Sequence, residues 1–170
     1  MELLETQVAV VGAGAAGLYA AICAAREGAE VTLISATPLA ESSTFWAQGG
    51  LAAAIADDDS PALHLADTVA AGRGAVRESA AQLLCEQAPL AVEDLRSLGV
   101  RFDTDAQGRL ALGLEGGHSA RRIVHAGGAA TGQRHAKTVN GNTGRDAHGW
   151  VLGCSDGTKN GSVCQVLPWP

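Results

Sequence analysis

The feature that most constrains the fold is the glycine motif GAGAAG at Gly12–Gly17, together with the segments on either side of it. Residues 7–11, QVAVV, are apolar and rich in β-branched side chains, which predicts a strand buried on both faces in a parallel sheet. The alanine-rich segment LYAAICAAREG predicts a helix with Gly28 as its C-cap. EVTLIS, at residues 30–35, predicts a second buried strand. This order predicts a βαβ unit with a right-handed crossover.

The glycine spacing predicts that this unit binds a dinucleotide rather than being an ordinary glycine-rich turn. Gly12 permits a tight turn, Gly14 lets the backbone approach a pyrophosphate, and Gly17 lets helix and strand pack closely. The start of the helix offers unpaired N–H groups and a partial positive charge to the phosphates. The predicted cofactor-binding residues of this motif are Gly12, Ala13, Gly14, Ala15, Ala16 and Gly17.

The motif departs from the usual pattern at the end of the second strand. A ribose-binding carboxylate is expected about 20 residues after the glycines. The chain has Ser35 at that position, and a serine hydroxyl hydrogen-bonds a ribose more weakly. Ser35 is therefore a candidate ribose contact, and at this point the residues leave FAD and NAD both open.

Charge and hydropathy exclude several classes of function. The net charge of -6 argues against a nucleic-acid or anionic-membrane surface. The apolar runs are too short for a transmembrane helix. The opening MELLET lacks the basic region of a signal peptide, so a cytoplasmic location is expected.

Cys23 and Cys85 are predicted to be small buried residues, and no metal site is expected from the cysteine spacing.

The middle of the chain predicts two further helices, at residues 61–72 and 78–98, with Ser60 as the N-cap of the first. A hairpin is expected around residues 106–108. The acidic run Asp57–Asp59 is predicted to be solvated at the positive end of a helix. The apolar residues predicted to face the core from the second helix are Leu83, Leu84, Ala88, Val92 and Leu95.

The stretch STFWAQGG comes soon after the second strand. Here the chain resembles the flavoprotein family of L-aspartate oxidase and the fumarate reductase/succinate dehydrogenase flavoproteins. The resemblance implies that this stretch wraps the isoalloxazine and ribityl side of FAD, with two glycines that let backbone N–H groups reach the ring. Phe45 and Trp46 could instead anchor the loop in the core. The residues that this resemblance assigns to the cofactor are Ser43, Thr44, Phe45, Trp46, Ala47, Gln48, Gly49 and Gly50.

The same loop separates members of this family. Succinate dehydrogenases and respiratory fumarate reductases have a histidine joined covalently to FAD four residues before the alanine of AQGG. Ser43 occupies that position in this chain. The resemblance therefore implies noncovalent FAD.

A third motif, EGGHSARRIVHA, begins at Glu115 and is similar to a segment of the L-aspartate oxidases. The resemblance implies that the Glu115 carboxylate meets the α-ammonium group of a substrate and disfavours a dicarboxylate without an amine. Arg121, Arg122, His118 and His125 are candidates to offset substrate carboxylates or to brace the loop. At most one of the adjacent arginines is expected to face substrate, while the other pairs with an acid or with the cofactor phosphates.

The resemblance covers residues 7 to 132 and implies an α/β fold, a Rossmann-like FAD-binding domain with an incomplete parallel sheet. It implies oxidation of L-aspartate to iminoaspartate, with O2 or fumarate as electron acceptor, and a functional link to quinolinate synthase in NAD synthesis. The alternatives are a fumarate reductase-like flavoprotein, which Ser43 and Glu115 disfavour, and a non-catalytic dinucleotide-binding module.

Residues 133–170 differ in character from the rest of the chain. They are rich in Gly, Asn, Thr and Ser, carry a net positive charge and show no long period. We expect a poorly ordered, irregular tail that is unrelated to the family and that follows an FAD-binding domain at residues 1–132. A truncated or frame-shifted reading frame is the favoured explanation, which predicts a chain that is inactive alone.

Overall fold

The structure is a computed structural model. It describes residues 5–36 and 42–134, and the backbone of two strands further along the chain. The elements in chain order are β1 (Val8–Val11), α1 (Ala15–Arg26), β2 (Val31–Ser35), β3 (Leu51–Ala52), α2 (Pro61–Ala71), α3 (Glu78–Ser97), β4 (Leu112–Gly113), β5 (Ile123–Val124), β6 (Trp150–Ser155) and β7 (Ser162–Pro168).

The chain divides into two compact units. The first comprises Met1–Ala47 with Gly132–Pro170, and the second comprises Gln48–Thr131. The predicted boundary at Gly132, with a separate tail after it, stays a prediction.

The first unit contains the predicted βαβ arrangement. Strands β1 and β2 pair in parallel, with Val8 opposite Val31, and α1 lies between them in sequence and packs against both. The helix buries Leu18 and Ile22 and ends before Gly28, whose φ of +86° is favourable only for glycine. The α/β fold and its small parallel sheet are therefore confirmed.

Burial of the two strands differs from the expectation. In β2, Val31 and Leu33 are buried, but β1 alternates between partly buried and exposed residues. Val11 is 80% exposed. The expectation that β1 is buried on both faces is wrong. Alternate residues of a strand point to opposite faces, and in β1 one set is partly buried while the other set, Ala9 and Val11, is exposed.

Two strands lie in the segment that was expected to be irregular. β7 pairs antiparallel with β2, and β6 pairs antiparallel with β7, which gives the strand order β1-β2-β7-β6. The expectation of irregular structure is wrong for these two strands. β7 gains its regularity from pairing with the distant β2, and β6 from pairing with the neighbouring β7, rather than from a local period.

The second unit combines a small antiparallel sheet, of order β3-β5-β4, with α2 packed against α3. The Oγ of Ser60 accepts the N–H of Leu63 at 3.2 Å, and Pro61 is the first helical residue. The predicted N-cap of α2 is confirmed. The hairpin around residues 106–108 is also confirmed, because Thr104 and Leu110 form an antiparallel bridge across it.

The buried face of α3 is rotated from the predicted one. Leu83 and Leu84 are 60% and 58% exposed, so their placement in the core is wrong. Successive helical residues turn by about 100°, so a narrow buried stripe excludes these two leucines. The buried residues of α3 are Ala81, Cys85, Val92 and Leu95.

Among the described residues, the structure contains no helix that is long and apolar enough to span a membrane.

Candidate FAD and substrate site

The turn between β1 and α1 has the geometry of a phosphate-binding cradle. Gly12 has a φ of +110°, a conformation that side chains rarely adopt. A Cβ on Gly17 would lie 1.8 Å from the carbonyl oxygen of Gly12, so only glycine fits where the helix crosses the strand. Gly14 is the N-cap of α1 and has no side chain of its own to cap the helix, and the first turn contains no acidic residue. The helix start is therefore suited to an anionic ligand.

Thr44 lies against the start of the same helix. Its Oγ1 accepts the N–H of Ala15 at 3.0 Å, and a Cβ on Gly14 would lie 3.3 Å from that oxygen. The hydroxyl thus holds the loop after β2 beside the glycine turn. This contact gives Thr44 a defined place in the cradle, which its position in the STFWAQGG stretch alone did not show.

Gly132 is a site residue that the sequence analysis missed. Its N–H donates to the carbonyl oxygen of Ala47 at 3.0 Å, and a Cβ on it would lie 1.9 Å from the carbonyl oxygen of Thr44. Gly132 therefore packs directly on the backbone of the predicted flavin loop. No short motif around it signals this role, because its partners are more than eighty residues earlier in the sequence.

The aromatic pair of the loop does not enter the core. The rings of Phe45 and Trp46 form an edge-to-face pair with centroids 5.4 Å apart, but Trp46 is 71% exposed. Ser43 is exposed as well, and Ser35 is partly buried at the end of β2. Trp46 therefore does not anchor the loop in the core.

In the second unit, the residues Gln48–Gly50 lead into β3. A Cβ on Gly50 would lie 2.4 Å from Ile123 Cγ2 and 2.5 Å from the carbonyl oxygen of Val124, so glycine is needed for the loop to pack on β5. A Cβ on Gly49 would meet nothing within 4 Å. Gly49 therefore leaves its backbone open to a ligand.

Glu115 follows β4 and is paired with a histidine. One of its carboxylate oxygens, Oε1, lies 3.0 Å from Nε2 of His125, and its side chain is half exposed. His125 also lines a cavity of about 490 Å³ together with Gln48, Asp103 and Gly113. The structure thus brings the predicted ammonium-binding carboxylate to the histidine that was only a minor candidate.

Arg122 is fully buried in a network of acids. Its Nε and Nη2 donate to the two carboxylate oxygens of Asp59 at 2.8 Å each, and its Nη1 donates to Oδ2 of Asp67 at 2.6 Å. Asp67 also accepts the N–H and Oγ–H of Ser119, each at 2.8 Å. Arg122 therefore braces β5 and the turn at Ser119 against α2.

The burial of Asp59 corrects one expectation. Its side chain is 0% exposed, so Asp59 is not a solvated residue at the end of a helix. Burial raises the pKa of Asp59, but the hydrogen bonds from Arg122 and from the Ser60 N–H outweigh burial and lower it. Hydrogen bonds from the backbone and then the side chain of Ser119 lower the pKa of Asp67 to about 2, with Arg122 contributing further. Both acids are therefore carboxylates near neutral pH.

Two histidines border the Arg122 network. Nδ1 of His118 lies 3.3 Å from Nη1 of Arg122, and its ring centroid lies 5.7 Å from that of His64. His64 is 2% exposed, and its Nδ1 has no partner among the described residues. Burial lowers the pKa of His64, and the charge of Arg122 lowers it further, so the ring is held neutral. His118 thus joins the brace rather than the Glu115 pair.

Arg121 points to a different place from Arg122. It is exposed and lines a cavity of about 940 Å³ with Asp57 and Asp58. Glu115 does not line that cavity. Within the ranges that the structure describes, no group of histidine, cysteine and acidic residues could hold a metal ion.

A strand, a turn that only glycine fits, and a helix start without an acidic residue define a nucleotide-binding α/β protein. The model of the FAD binding domain family matches residues 7–148 of the chain. The chain belongs to this family, and its cofactor is FAD.

The relatives narrow the class further. An L-aspartate oxidase of Mesorhizobium japonicum is 54% identical over 125 residues, which cover 73% of this chain and 24% of that protein. An L-aspartate oxidase of Mycobacterium bovis is 41% identical over 167 residues, covering 95% of this chain and 32% of that protein. Among solved structures, the E. coli quinol fumarate reductase FrdA superposes with a TM-score of 0.77 at 32% identity, covering 82% of this chain and 24% of that one.

These matches show how much of its relatives the chain covers and how far along the chain the similarity extends. The chain spans about a quarter of the length of the relative from Mesorhizobium. The family model continues to residue 148, and the mycobacterial match covers nearly the whole chain. These matches extend past Gly132, and the division of the chain at Gly132 stays a prediction. The glycine- and asparagine-rich segment after Gly132 has no hydrophobic period, so its sequence pattern alone did not indicate this similarity.

Proposed function

We propose that the chain forms the FAD-binding part of an L-aspartate oxidase. The observation that carries the proposal is the Glu115 motif within a chain that is 54% identical to such an enzyme over 125 residues. The chemistry that FAD supplies when bound is removal of a hydride from Cα of L-aspartate, which leaves iminoaspartate, followed by electron transfer to O2 or fumarate. A cytoplasmic location and a functional link to quinolinate synthase belong to the same proposal.

In this proposal the glycine turn binds the pyrophosphate of FAD. Backbone N–H groups at the start of α1, other than that of Ala15, which donates to Thr44 Oγ1, are available to its oxygens, and Gly14 leaves room for the phosphates beside that hydroxyl. Ser35 binds the ribose through its hydroxyl. The fit of Gly17 against Gly12 supports this assignment, because it holds the helix start at the end of β1.

The flavin end of the cofactor is assigned to the glycines before β3. The backbone of Gly49 is open to a ligand, and Gly50 holds the loop on β5. We expect FAD to be noncovalent, since Ser43 has no ring nitrogen with which to form the histidyl link found in other members of the family. Denaturation with acid followed by centrifugation should therefore release all the flavin into the supernatant.

Glu115 selects the substrate through its charge. Its half-exposed carboxylate is available to an α-ammonium group and repels a dicarboxylate that lacks one. Arg121 is the arginine that remains exposed, so it is the one available to a substrate carboxylate or to another part of a longer protein. Arg122 and His118 contribute by holding the turn that follows Glu115.

A fumarate reductase-like activity is the second candidate. Its support is the superposition on quinol fumarate reductase FrdA with a TM-score of 0.77. The two activities differ in what each ligand does to bound flavin under anaerobic conditions. L-Aspartate should perturb the flavin spectrum and succinate should not, and the reverse result would favour the second candidate.

We expect this chain alone to bind FAD weakly and not to turn over aspartate, since it spans about a quarter of the relative from Mesorhizobium. The test is purification without added cofactor, followed by a peroxide assay with L-aspartate. A yellow, FAD-loaded product that forms peroxide in proportion to aspartate would refute this expectation.

A further inference from the structure

The contact between His125 and Glu115 is built by the sheet of the second unit. Strands β4 and β5 pair antiparallel, with Leu112 opposite Val124 and Gly113 opposite Ile123, so Glu115 and His125 follow opposite ends of this short pairing and their side chains meet across it. His125 comes directly after β5, and its Nε2 lies 3.0 Å from Oε1 of Glu115. Its side chain is 25% exposed, whereas that of Glu115 is 50% exposed. The histidine is thus the better-fixed partner of the two.

Two glycines fix the orientation of the imidazole ring. A Cβ on Gly113 would lie 3.2 Å from Cε1 of His125, and a Cβ on Gly50 would lie 3.1 Å from its Cδ2. Side chains at either position would press on the ring. The ring therefore lies between β4 and the loop of the AQGG motif. In this position its Nε2 points toward Glu115.

A second carboxylate near His125, that of Asp103, is engaged by backbone N–H groups. Asp103 lines the cavity that His125 also lines. Its two oxygens accept the N–H groups of Gly127 and Gly128 at 2.8 and 2.9 Å. Glu115 makes a direct hydrogen bond to the His125 side chain.

We propose that His125 is a positioning residue that holds the Glu115 carboxylate for the substrate ammonium. An Nε2–H donor on Oε1 restricts the carboxylate and leaves Oε2 free to accept from an ammonium group. An arriving ammonium also shares the carboxylate with the imidazole, so the ring senses an amine-bearing ligand. This inference rests on the proposed function, in which Glu115 recognises the α-ammonium of L-aspartate.

The contact is tested by NMR on the whole chain with FAD added, using the ¹⁵N and Cε1–H signals of the His125 ring. Glu115→Gln should move both signals, because the charged acceptor is lost. The matched control is Glu86→Gln, an exposed acid on α3, which should leave them unchanged. If the His125 ring signals are the same in Glu115→Gln and in the unmodified chain, the positioning role is overturned.

Ligands then separate this inference from the proposed function. L-Aspartate should shift the His125 ring signals, succinate at equal concentration should not, and Glu115→Gln should abolish the difference. If the His125 ring signals change in Glu115→Gln but shift equally with both ligands, the positioning contact stands. Recognition of L-aspartate by Glu115 is then overturned instead.

A conservative variant separates positioning from general packing. His125→Gln keeps a donor that can reach Glu115, whereas His125→Ala removes it. In His125→Gln, L-aspartate should still perturb the spectrum of bound flavin more than succinate does. In His125→Ala this preference should be lost, while the far-ultraviolet circular dichroism stays unchanged. An equal preference in the two variants would overturn the proposal.

Discussion

Replacing Arg122 with methionine should destabilise the second unit strongly. The side chains of Asp59 and Arg122 are both 0% exposed, and two hydrogen bonds of 2.8 Å join them. Removing the guanidinium leaves the Asp59 carboxylate buried without its cation. Breaking a buried pair in this way costs about 3–5 kcal/mol, a large share of the roughly 5–15 kcal/mol that stabilises a typical domain.

The assay is urea denaturation followed by circular dichroism, with a double-mutant cycle. Arg122→Met and Asp59→Asn are measured singly and together. We expect the double variant to lose less free energy of unfolding than the two single variants together. Once one partner is replaced, replacing the other no longer leaves a buried charge without its partner. If Arg122→Met does not fold, Arg122→Lys keeps the charge but loses the forked geometry, and should cost about 1.5–3 kcal/mol.

Arg121→Met is the matched control, since Arg121 is the exposed neighbour of the same residue type. It should change the free energy of unfolding by no more than about 0.5 kcal/mol. Equal losses in Arg122→Met and Arg121→Met, or an additive double-mutant cycle, would refute a stabilising role for the Arg122–Asp59 pair.

Three further changes test other parts of the structure. Gly17→Ala places a Cβ 1.8 Å from the carbonyl oxygen of Gly12, so FAD affinity measured by flavin fluorescence should fall at least tenfold; Ala20→Gly on the exposed side of α1 should spare it. The pKa of Asp67 is lowered to about 2, so stability should be lost as the pH falls from about 4 through 2; Asp67→Asn should flatten that part of the pH profile, and an unchanged slope would contradict the role of Asp67. Ser60→Ala removes the N-cap of α2 and should cost about 1 kcal/mol in urea denaturation, whereas Ser60→Asp should cost little.

The elements that follow from local rules were predictable from the sequence. The glycine turn, the two strands beside it and the N-cap at Ser60 depend on neighbouring residues, so short patterns report them. The face of α3 was misjudged at Leu83 and Leu84, because two adjacent leucines fit several helical stripes and only the packing of α2 decides between them.

The network around Arg122 was not predictable in the same way. Its acids lie 63 and 55 residues earlier in the sequence, and nothing local distinguishes Asp59 from its exposed neighbours. The strand β7 likewise depends on pairing with β2, which is more than a hundred residues away. Contacts of this range follow from the fold and not from a motif.

The most direct test of FAD binding by this chain is a titration of FAD fluorescence in the presence and absence of ADP. We expect weak but saturable quenching by the chain, competition by ADP, and no comparable binding of riboflavin. The cradle at Gly12–Gly17 recognises the pyrophosphate, which FAD and ADP contain and riboflavin lacks. Riboflavin binding as tight as that of FAD, or FAD binding that ADP does not displace, would contradict it.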